Sequence, residues 1–407
     1  MIKDKVLFYF TSSFPFGSGE QFVASEIDAL SKFYEEIFIL PLAPKEQEHS
    51  KNLPENVTVK LISDANRVYK KTDLFSRMGT FCKILGSEFF RKRGYLTLFS
   101  LKYVSIEILK AVELTRKIKS LSDSVSNDAK VDYYSSWMNE WSLALAVLYG
   151  KKEISNFTFK MRGHDLFDER RKNEFMPFRN FIFRNSSCRL SMSKEGVNYL
   201  NGKGFSHVEV NYPGIEIKGA GHYEQNTVFT LVSCSNMVAL KRVDLIAESL
   251  NYIDFELRWI HFGGGEEMQR VATIVAKLPP NIKVELRGQS ANTEILDFYQ
   301  KNQIDAFIHL SLTEGFGYAI VEAFSYGIPG ILFPGGAVEE LIQEDYCVRV
   351  PLNADARIVA ASINDAKLRL KRDQKLGNVI IEDCARKFDH ETQGLELYNF
   401  IAGIKKN

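Results

Sequence analysis

The sequence has little cysteine and uses it without pattern. Cys82, Cys188, Cys234, Cys347 and Cys384 are scattered over 407 residues, odd in number and with no Cys-x-x-Cys pair. Such a set makes no disulfide framework, and reduced, buried thiols in a cytoplasmic protein are the reading it favours. None of the seven histidines stands at ligand spacing from another histidine or a cysteine, so no structural metal is expected. No run of about 18 uncharged apolar residues occurs, which argues against a membrane-spanning helix. The opening Met1-Ile2-Lys3-Asp4-Lys5 leads straight into Val6-Leu7-Phe8-Tyr9-Phe10 and reads as a first strand, without the apolar core and cleavage site of a leader. A Gly-x-Ser-x-Gly elbow and a Walker A loop are missing too.

Charge is lacking only in the sum. The net charge is +1, yet residues 1–212 hold 32 Lys and Arg against 25 Asp and Glu, while the remainder holds 20 against 26. The excess lies in 66–119, with 13 basic and 4 acidic residues, among them Arg91-Lys92-Arg93 and Arg116-Lys117-x-Lys119 amid Phe and Tyr. Basic and aromatic residues mixed on helices suit an anionic membrane surface; a solvated helical face with its own core contacts explains them as well.

What is present is alternation. Short β-branched or aromatic runs at Val6–Phe10, Ile37–Pro41, Val57–Leu61, Val131–Ser135, Phe157–Met161, Cys188–Met192 and Val208–Asn211 are separated by helical patterns. The first of these patterns is Glu20–Phe33, and a helical insertion covers about 66–127. The design repeats at Phe229–Ser233, Leu257–Phe262, Lys283–Leu286, Ala306–Leu310, Gly330–Phe333 and Cys347–Val350. Strand–helix alternation predicts an α/β protein with parallel sheets covered by helices on both faces. Tyr212-Pro213-Gly214 punctuates the middle, predicting domains at 1–212 and 213–385, with a closing helical segment at 386–407. That segment is amphipathic, with Phe388, Leu395, Leu397, Tyr398 and Ile401 apolar. Ligands bind at the carboxyl ends of parallel strands, and facing sheets place those ends on a shared cleft.

The most informative stretch runs from Ser311 to Phe324, after the apolar run that ends at Leu310. Gly315 and Gly317 bracket a tight strand-to-helix turn, and Gly327 and Pro329 close the helix about three turns later. Backbone N–H groups at such a helix start attract phosphate, and carboxylates such as Glu314 and Glu322 accept hydrogen bonds from sugar hydroxyls. Two glutamates eight apart, taken alone, read more simply as an acid near a helix cap and an acid on a helix surface. Their surroundings change that balance. Glu314-Gly315-Phe316, Glu322-Ala323, Gly327-Ile328-Pro329 and Gly335-Gly336-Ala337-Val338-Glu339 together resemble the Glu-x7-Glu region of retaining glycosyltransferases of the GT-B fold, family GT4.

The resemblance implies two Rossmann-like domains facing across a cleft, the donor held mainly by the second. It implies that Glu314 holds hydroxyls of the donor sugar, that Glu322 holds the ribose, and that Gly315, Phe316 and Gly317 approach sugar and diphosphate. The family usually carries Arg-x4-Lys-Gly after the first strand of this domain; here Lys241 matches the lysine, Asn236 stands at the arginine position and Arg242 at the glycine. Lys241 is thus the expected diphosphate ligand, with Arg242 as the candidate to replace the lost charge. Gly264, in Gly263-Gly264-Gly265, resembles the family's glycine turn, and Arg287 sits at a strand end where the family reads the base.

In the first half, Gly17 and Gly19 before Glu20 resemble the glycine-rich acceptor-side loop. His164 in Arg162-Gly163-His164-Asp165 resembles the histidine that faces the donor sugar, and Arg170-Arg171-Lys172 either meet an acceptor phosphate or face solvent. No Asp-x-Asp clamp exists, so lysine, arginine and helix dipoles must meet the leaving-group charge without a metal.

The expected activity is retaining, metal-independent transfer from a nucleoside-diphosphate sugar to a glycan hydroxyl, with His164, Glu314 and Lys241 at the reacting centre. A UDP-sugar is the preferred donor, with no cofactor and no nucleic-acid partner. The acceptor is expected to be a lipid-linked glycan in surface polysaccharide assembly at the inner membrane face; the resemblance also implies that the last helix braces the first domain, although a core helix of the second domain explains its pattern as well. A sugar-nucleotide epimerase, or a silent nucleotide-sugar-binding partner subunit, is the alternative.

Overall fold

A computed structural model describes residues 5–16, 20, 22–43, 52–62, 98–125, 130–171, 174, 176–221, 227–370 and 373–404. Two compact units emerge, one formed by Met1–Gly214 with His390–Asn407 and the other by Ile215–Asp389.

The first unit is built on seven parallel strands: β1 (Lys5–Thr11), β2 (Glu36–Pro41), β3 (Val57–Val59), β4 (Lys130–Ser135), β5 (Thr158–Met161), β6 (Cys188–Ser191) and β7 (Glu209–Val210). They lie in the order β3-β2-β1-β4-β5-β6-β7. β1 is buried from Val6 to Thr11, as a strand covered on both faces must be, which is why it reads as an unbroken apolar run. Helices α1 (Phe22–Ser31), α2 (Leu98–Ser124), α3 (Glu140–Gly150), α4 (Arg179–Arg184) and α5 (Lys194–Gly202) supply the cover. Asn139 accepts from the Trp141 N–H to cap α3, and Ser193 from the Gly196 N–H to cap α5.

Only the part of the basic window from residue 98 onward lies within the described residues. There α2 buries Ile108, Ala111, Leu114 and Ile118 in the core. Three of its lysines meet glutamates: Lys110 with Glu107, Lys117 with Glu113, Lys119 with Glu153. Residues 66–97 lie outside the described residues.

The second unit has six parallel strands, β8 (Phe229–Cys234), β9 (Leu257–Phe262), β10 (Ile282–Leu286), β11 (Ala306–His309), β12 (Gly330–Leu332) and β13 (Cys347–Arg349), ordered β10-β9-β8-β11-β12-β13. Helices α6 (Val243–Ser249), α7 (Met268–Val275), α8 (Asn292–Lys301), α9 (Tyr318–Ser325), α10 (Ala356–Arg369) and α11 (Gln374–Phe388) belong to it. α9 is about two turns long, not three: it stops at Ser325, and Gly327 at φ +67° turns the chain out.

The closing apolar segment is not one helix. α11 ends at Phe388, Asp389 is extended, and α12 (His390–Ala402) begins afresh. Phe388 packs edge-on against Phe316 in the second unit, while Leu397 and Ile401 are buried in the first. Leu395, apolar by type, is 45% exposed. Gly394 lets α12 approach α1: a Cβ there would fall 2.2 Å from that of Ala29. Tyr398 stacks on Phe33 at 4.8 Å.

The four described cysteines are free thiols. Among the described residues no helix is long and apolar enough to cross a membrane.

Candidate active site

In both sheets the strand order reverses beside the first strand, at β1/β4 and at β8/β11. Open parallel sheets bind ligands at the carboxyl ends of strands at such a reversal.

In the second unit the two loops leaving β8 and β11 are knitted together. The Leu312 N–H donates to the Leu240 carbonyl at 3.0 Å. A short 3-10 turn, Ala239–Lys241, then aims Lys241 at Glu314, and the two form an ion pair. His309, the last residue of β11, donates from Nε2 to the same carboxylate oxygen at 2.9 Å. The carboxylate can only accept, so that ring nitrogen carries the proton. Burial alone would raise the Glu314 pKa; the His309 hydrogen bond and charge, with Lys241, overcome it and hold it at about 2. The second carboxylate oxygen, Oε2, accepts no hydrogen bond from the described residues and is not sealed off.

The Gly335–Gly336 turn fixes this loop from the other side. The Glu314 N–H donates to the Gly335 carbonyl, and the Glu314 carbonyl accepts from the Ala337 N–H. A Cβ on Gly335 would stand 2.4 Å from the Ser311 carbonyl oxygen, and Gly336 sits at φ +61°. Only glycine lets the turn approach so closely. Gly315 and Gly317 are buried, and Gly317 enters α9 at φ +100°. The helix's first bonds are donated by Ile320 and Val321 to the Gly317 carbonyl, which leaves the N–H end of the helix as a partial positive charge. The Phe316 side chain is 2% exposed and edge-packed on Tyr318 and Phe388. It anchors the loop in the core, so what it can offer a ligand is backbone.

Arg242 is committed elsewhere. Its Nε donates to the Leu310 carbonyl at 2.7 Å and its guanidinium lies 3.9 Å from the Phe333 ring centre. Burial pulls its pKa below the arginine norm, with Asp244 opposing, and Nη2 has no partner among the described residues. Asn236 is exposed.

Glu322, on α9, accepts from the Asn292 amide at 2.9 Å, and burial pushes its pKa above the usual carboxylate range. The Tyr299 hydroxyl, fully buried and unpartnered among the described residues, feels both Cys234 and Glu322.

In the glycine triplet the outer two positions are the demanding ones. At Gly264 a Cβ would meet only ordinary contact, 3.7 Å from the Gln289 nitrogen. Gly263 (φ +132°) and Gly265 (φ +156°) are the demanding positions, where a Cβ would fall 1.9 Å from the Ser235 and 2.4 Å from the Met237 carbonyl oxygen. The triplet thus docks the β8 and β9 loops together. His261 beneath it bonds Ser233 at Nδ1 and the Ser235 carbonyl at Nε2, and burial drops its pKa to about 4. Arg287 pairs with Glu285 at 2.9 Å and lies over Phe298.

In the first unit, His164 is exposed after β5, its carbonyl accepting from Arg171 Nε at 2.9 Å. Burial, then Arg171, lowers its pKa below the usual histidine value. Asp165 accepts from the Arg162 and Met138 N–H groups, both at 2.6 Å, and so fixes the turn rather than facing a substrate. Gly17, Gly19 and Lys172 lie outside the described residues. Beneath the turn, Glu26 is buried with Lys160 and Arg162, each 2.9 Å from Oε1, and with the Tyr9 hydroxyl on Oε2.

Sequence reasoning missed His309, Glu26 and Lys160. The available signal was a polar residue inside an otherwise apolar strand or helix face. The structure brings Lys241, Glu314 and Gly315–Gly317 together, and places Glu322 on the following helix.

The sequence model of the family described as glycosyl transferases group 1 matches residues 218–380. A curated relative is the UDP-N-acetylglucosamine–peptide N-acetylglucosaminyltransferase GtfA subunit of Streptococcus agalactiae, 27% identical over 110 residues. That match covers 26% of this chain and about a fifth (21%) of the relative's length. Among solved structures, Anabaena Alr3699/HepE in complex with UDP and glucose superposes with a TM-score of 0.66 at 13% identity, covering 99% of this chain and 100% of that one. The lipopolysaccharide outer core galactosyltransferase WaaB superposes at 0.68 and 14%, covering 98% and 99%. TarM superposes at 0.66 and 12%, again covering 98% and 99%. Together these likenesses show the GT-B fold.

Proposed function

We propose that this chain, whose residues 218–380 match the group 1 model, is a glycosyltransferase that moves a sugar from a nucleoside-diphosphate donor to a hydroxyl of a glycan acceptor. The observation that carries this is Glu314, ionised and held by Lys241 and His309 at the start of α9, with one oxygen left to accept.

In this reading the diphosphate takes up Lys241 and the N–H end of α9, both of which favour negative charge. Glu314 accepts from hydroxyls of the sugar and Glu322 from those of the ribose. Arg242, tied to Leu310 and Phe333, acts through the loop it braces. His164 positions the sugar, and acceptor recognition falls to the first unit. The reaction retains configuration: the hydroxyl attacks the face the diphosphate leaves, the C–O bond to phosphate breaks as the new glycosidic bond forms, and the departing phosphate oxygen takes the hydroxyl proton. Lys241 and the helix dipole meet the leaving-group charge without a metal. UDP is the favoured nucleotide, a reading supported by the UDP in the HepE structure. A lipid-carried glycan of a surface polysaccharide at the inner face of the membrane is the proposed acceptor.

Nucleoside diphosphate release from a panel of nucleotide sugars, with wild type and Glu314→Gln, tests this. Release should fall by about 100-fold in the variant, the scale of losing one preorganised charge-stabilising group. Unchanged release would remove Glu314 from the reaction, and donor binding without release by wild type would favour a silent binding subunit.

A further inference from the structure

Glu322 on α9 has few donors for a carboxylate in its place. Asn292, the first residue of α8, donates to Oε1 at 2.9 Å; Oε2 accepts no hydrogen bond from the described residues and is not sealed off. A buried carboxylate keeps its charge by accepting several hydrogen bonds. One amide does not offset the burial that raises the pKa of this one.

A further donor stands two turns along the same helix. Tyr299 follows Asn292 by seven residues, so both lie on one face of α8. Helix side chains lean toward the N-terminus, which carries the Tyr299 hydroxyl back toward Asn292 and the carboxylate it holds. The ring packs edge-on against Phe307 at 6.4 Å and Tyr326 at 5.9 Å, and Tyr326 follows Glu322 by four residues. The side chain is fully buried, and its hydroxyl has no partner among the described residues. An unbonded buried hydroxyl costs stability that phenylalanine would spare, so packing alone does not account for a tyrosine here. Burial, then Cys234 and Glu322, raise the Tyr299 pKa well above the tyrosine norm, so the hydroxyl has a proton to donate. The Cys234 thiol, pushed by burial up to about 12, keeps its own proton and accepts only weakly. The strong acceptor in this group is Glu322.

We propose that Tyr299 is a positioning residue for Glu322: its hydroxyl is unbonded in the ligand-free protein and donates to the carboxylate once ribose hydroxyls engage it. This rests on the reading that Glu322 holds the ribose. A bound ribose takes the remaining water from Glu322, and the ionised form then depends on fixed donors. Asn292 and Tyr299, both on α8, supply them from within the second unit.

Two measurements on the full-length chain, wild type and Tyr299→Phe, separate the ligand-free state from the bound one. Thermal unfolding without ligand reads the first; calorimetric titration with UDP, GDP and ADP, and with the 2′,3′-dideoxy form of each, reads the second. Ligand-free Tyr299→Phe should unfold at or above the wild-type midpoint. For the diphosphate that wild type binds, the variant should lose about ten-fold in affinity, the scale of one hydrogen bond to a charged group. The dideoxy form, which has no ribose hydroxyls to offer Glu322, should bind both proteins equally. A ligand-free midpoint that drops shows the hydroxyl already bonded, and an undiminished preference for the ribose form shows that it does not serve Glu322. Either result overturns the proposal and leaves the donor reading standing. A wild type that binds ribose and dideoxy forms alike, or binds no diphosphate, overturns the ribose reading of Glu322 and the proposal with it.

Discussion

Glu314 is worth following because two neighbours decide its charge. With its pKa at about 2, it is ionised throughout the neutral range, and His309 is the first of the groups that keep it so. Replacing His309 with leucine removes a hydrogen bond and leaves burial less opposed, so the Glu314 pKa rises. The acid limb of the pH–rate profile should then move to higher pH, with neutral activity retained in part; an unmoved limb would mean that His309 does not govern this carboxylate. A second contrast lies in the glycine triplet. Gly265→Ala forces a Cβ against the Met237 carbonyl at a φ of +156° and should lower the unfolding midpoint clearly, whereas Gly264→Ala should leave it nearly unchanged. Denaturant titration of both separates the positions that a motif comparison treats alike. Residue identities showed Glu314 and Lys241 because spacing carried them. They could not show His309, which became visible only once β11 put its last side chain beside a loop five residues on.

At the scale of elements, the parallel strands were the most legible feature. In β1 both faces are covered, so the run from Val6 to Phe10 is apolar, and the ends of β1 and β5 differ from expectation by a residue at 6–10 and 157–161. Helix limits were less legible, because caps and tertiary contacts set them. α9 ends early at Ser325, and the Phe388–Ile401 pattern splits at Asp389, since an apolar period says nothing about which core each half enters. Which charges pair inside the first unit was not legible. Glu26 on α1 and Lys160 on β5 read as ordinary polar residues, yet they meet in the core together with Arg162. Burial would raise the Glu26 pKa, but Lys160 and Arg162 bring it from 4.5 to about 2. A depressed carboxylate pKa gives stability that is fully present above the unfolded value and drains away as pH falls through the folded one. The contribution should therefore be lost between about pH 4.5 and 2. Glu26→Gln should flatten this part of the stability–pH curve, and at neutral pH it should cost about 3–5 kcal/mol by leaving buried cations unpaired. Urea midpoints measured across that range check both signs.

For the whole molecule, the chain makes two units, and the second is an excursion from the first. Its ends meet, the Ile215 N–H donating to the Phe388 carbonyl at 2.8 Å, before α12 rejoins the sheet of residues 1–214. The middle of the sequence showed a break through Pro213-Gly214, but which unit takes the last helix depends on Gly394 meeting Ala29, a contact that no local pattern encodes. The central claim concerns the second unit: Lys241 and Glu314 form a donor site. It is tested most directly by thermal unfolding of wild type and Lys241→Ala with UDP-, GDP-, ADP- and TDP-sugars, with and without EDTA. One nucleotide sugar should raise the wild-type midpoint regardless of EDTA, as a ligand at 100 times its Kd adds about 2.7 kcal/mol, and Lys241→Ala should lose most of that rise. No rise with any donor, or an undiminished rise in Lys241→Ala, would contradict the account.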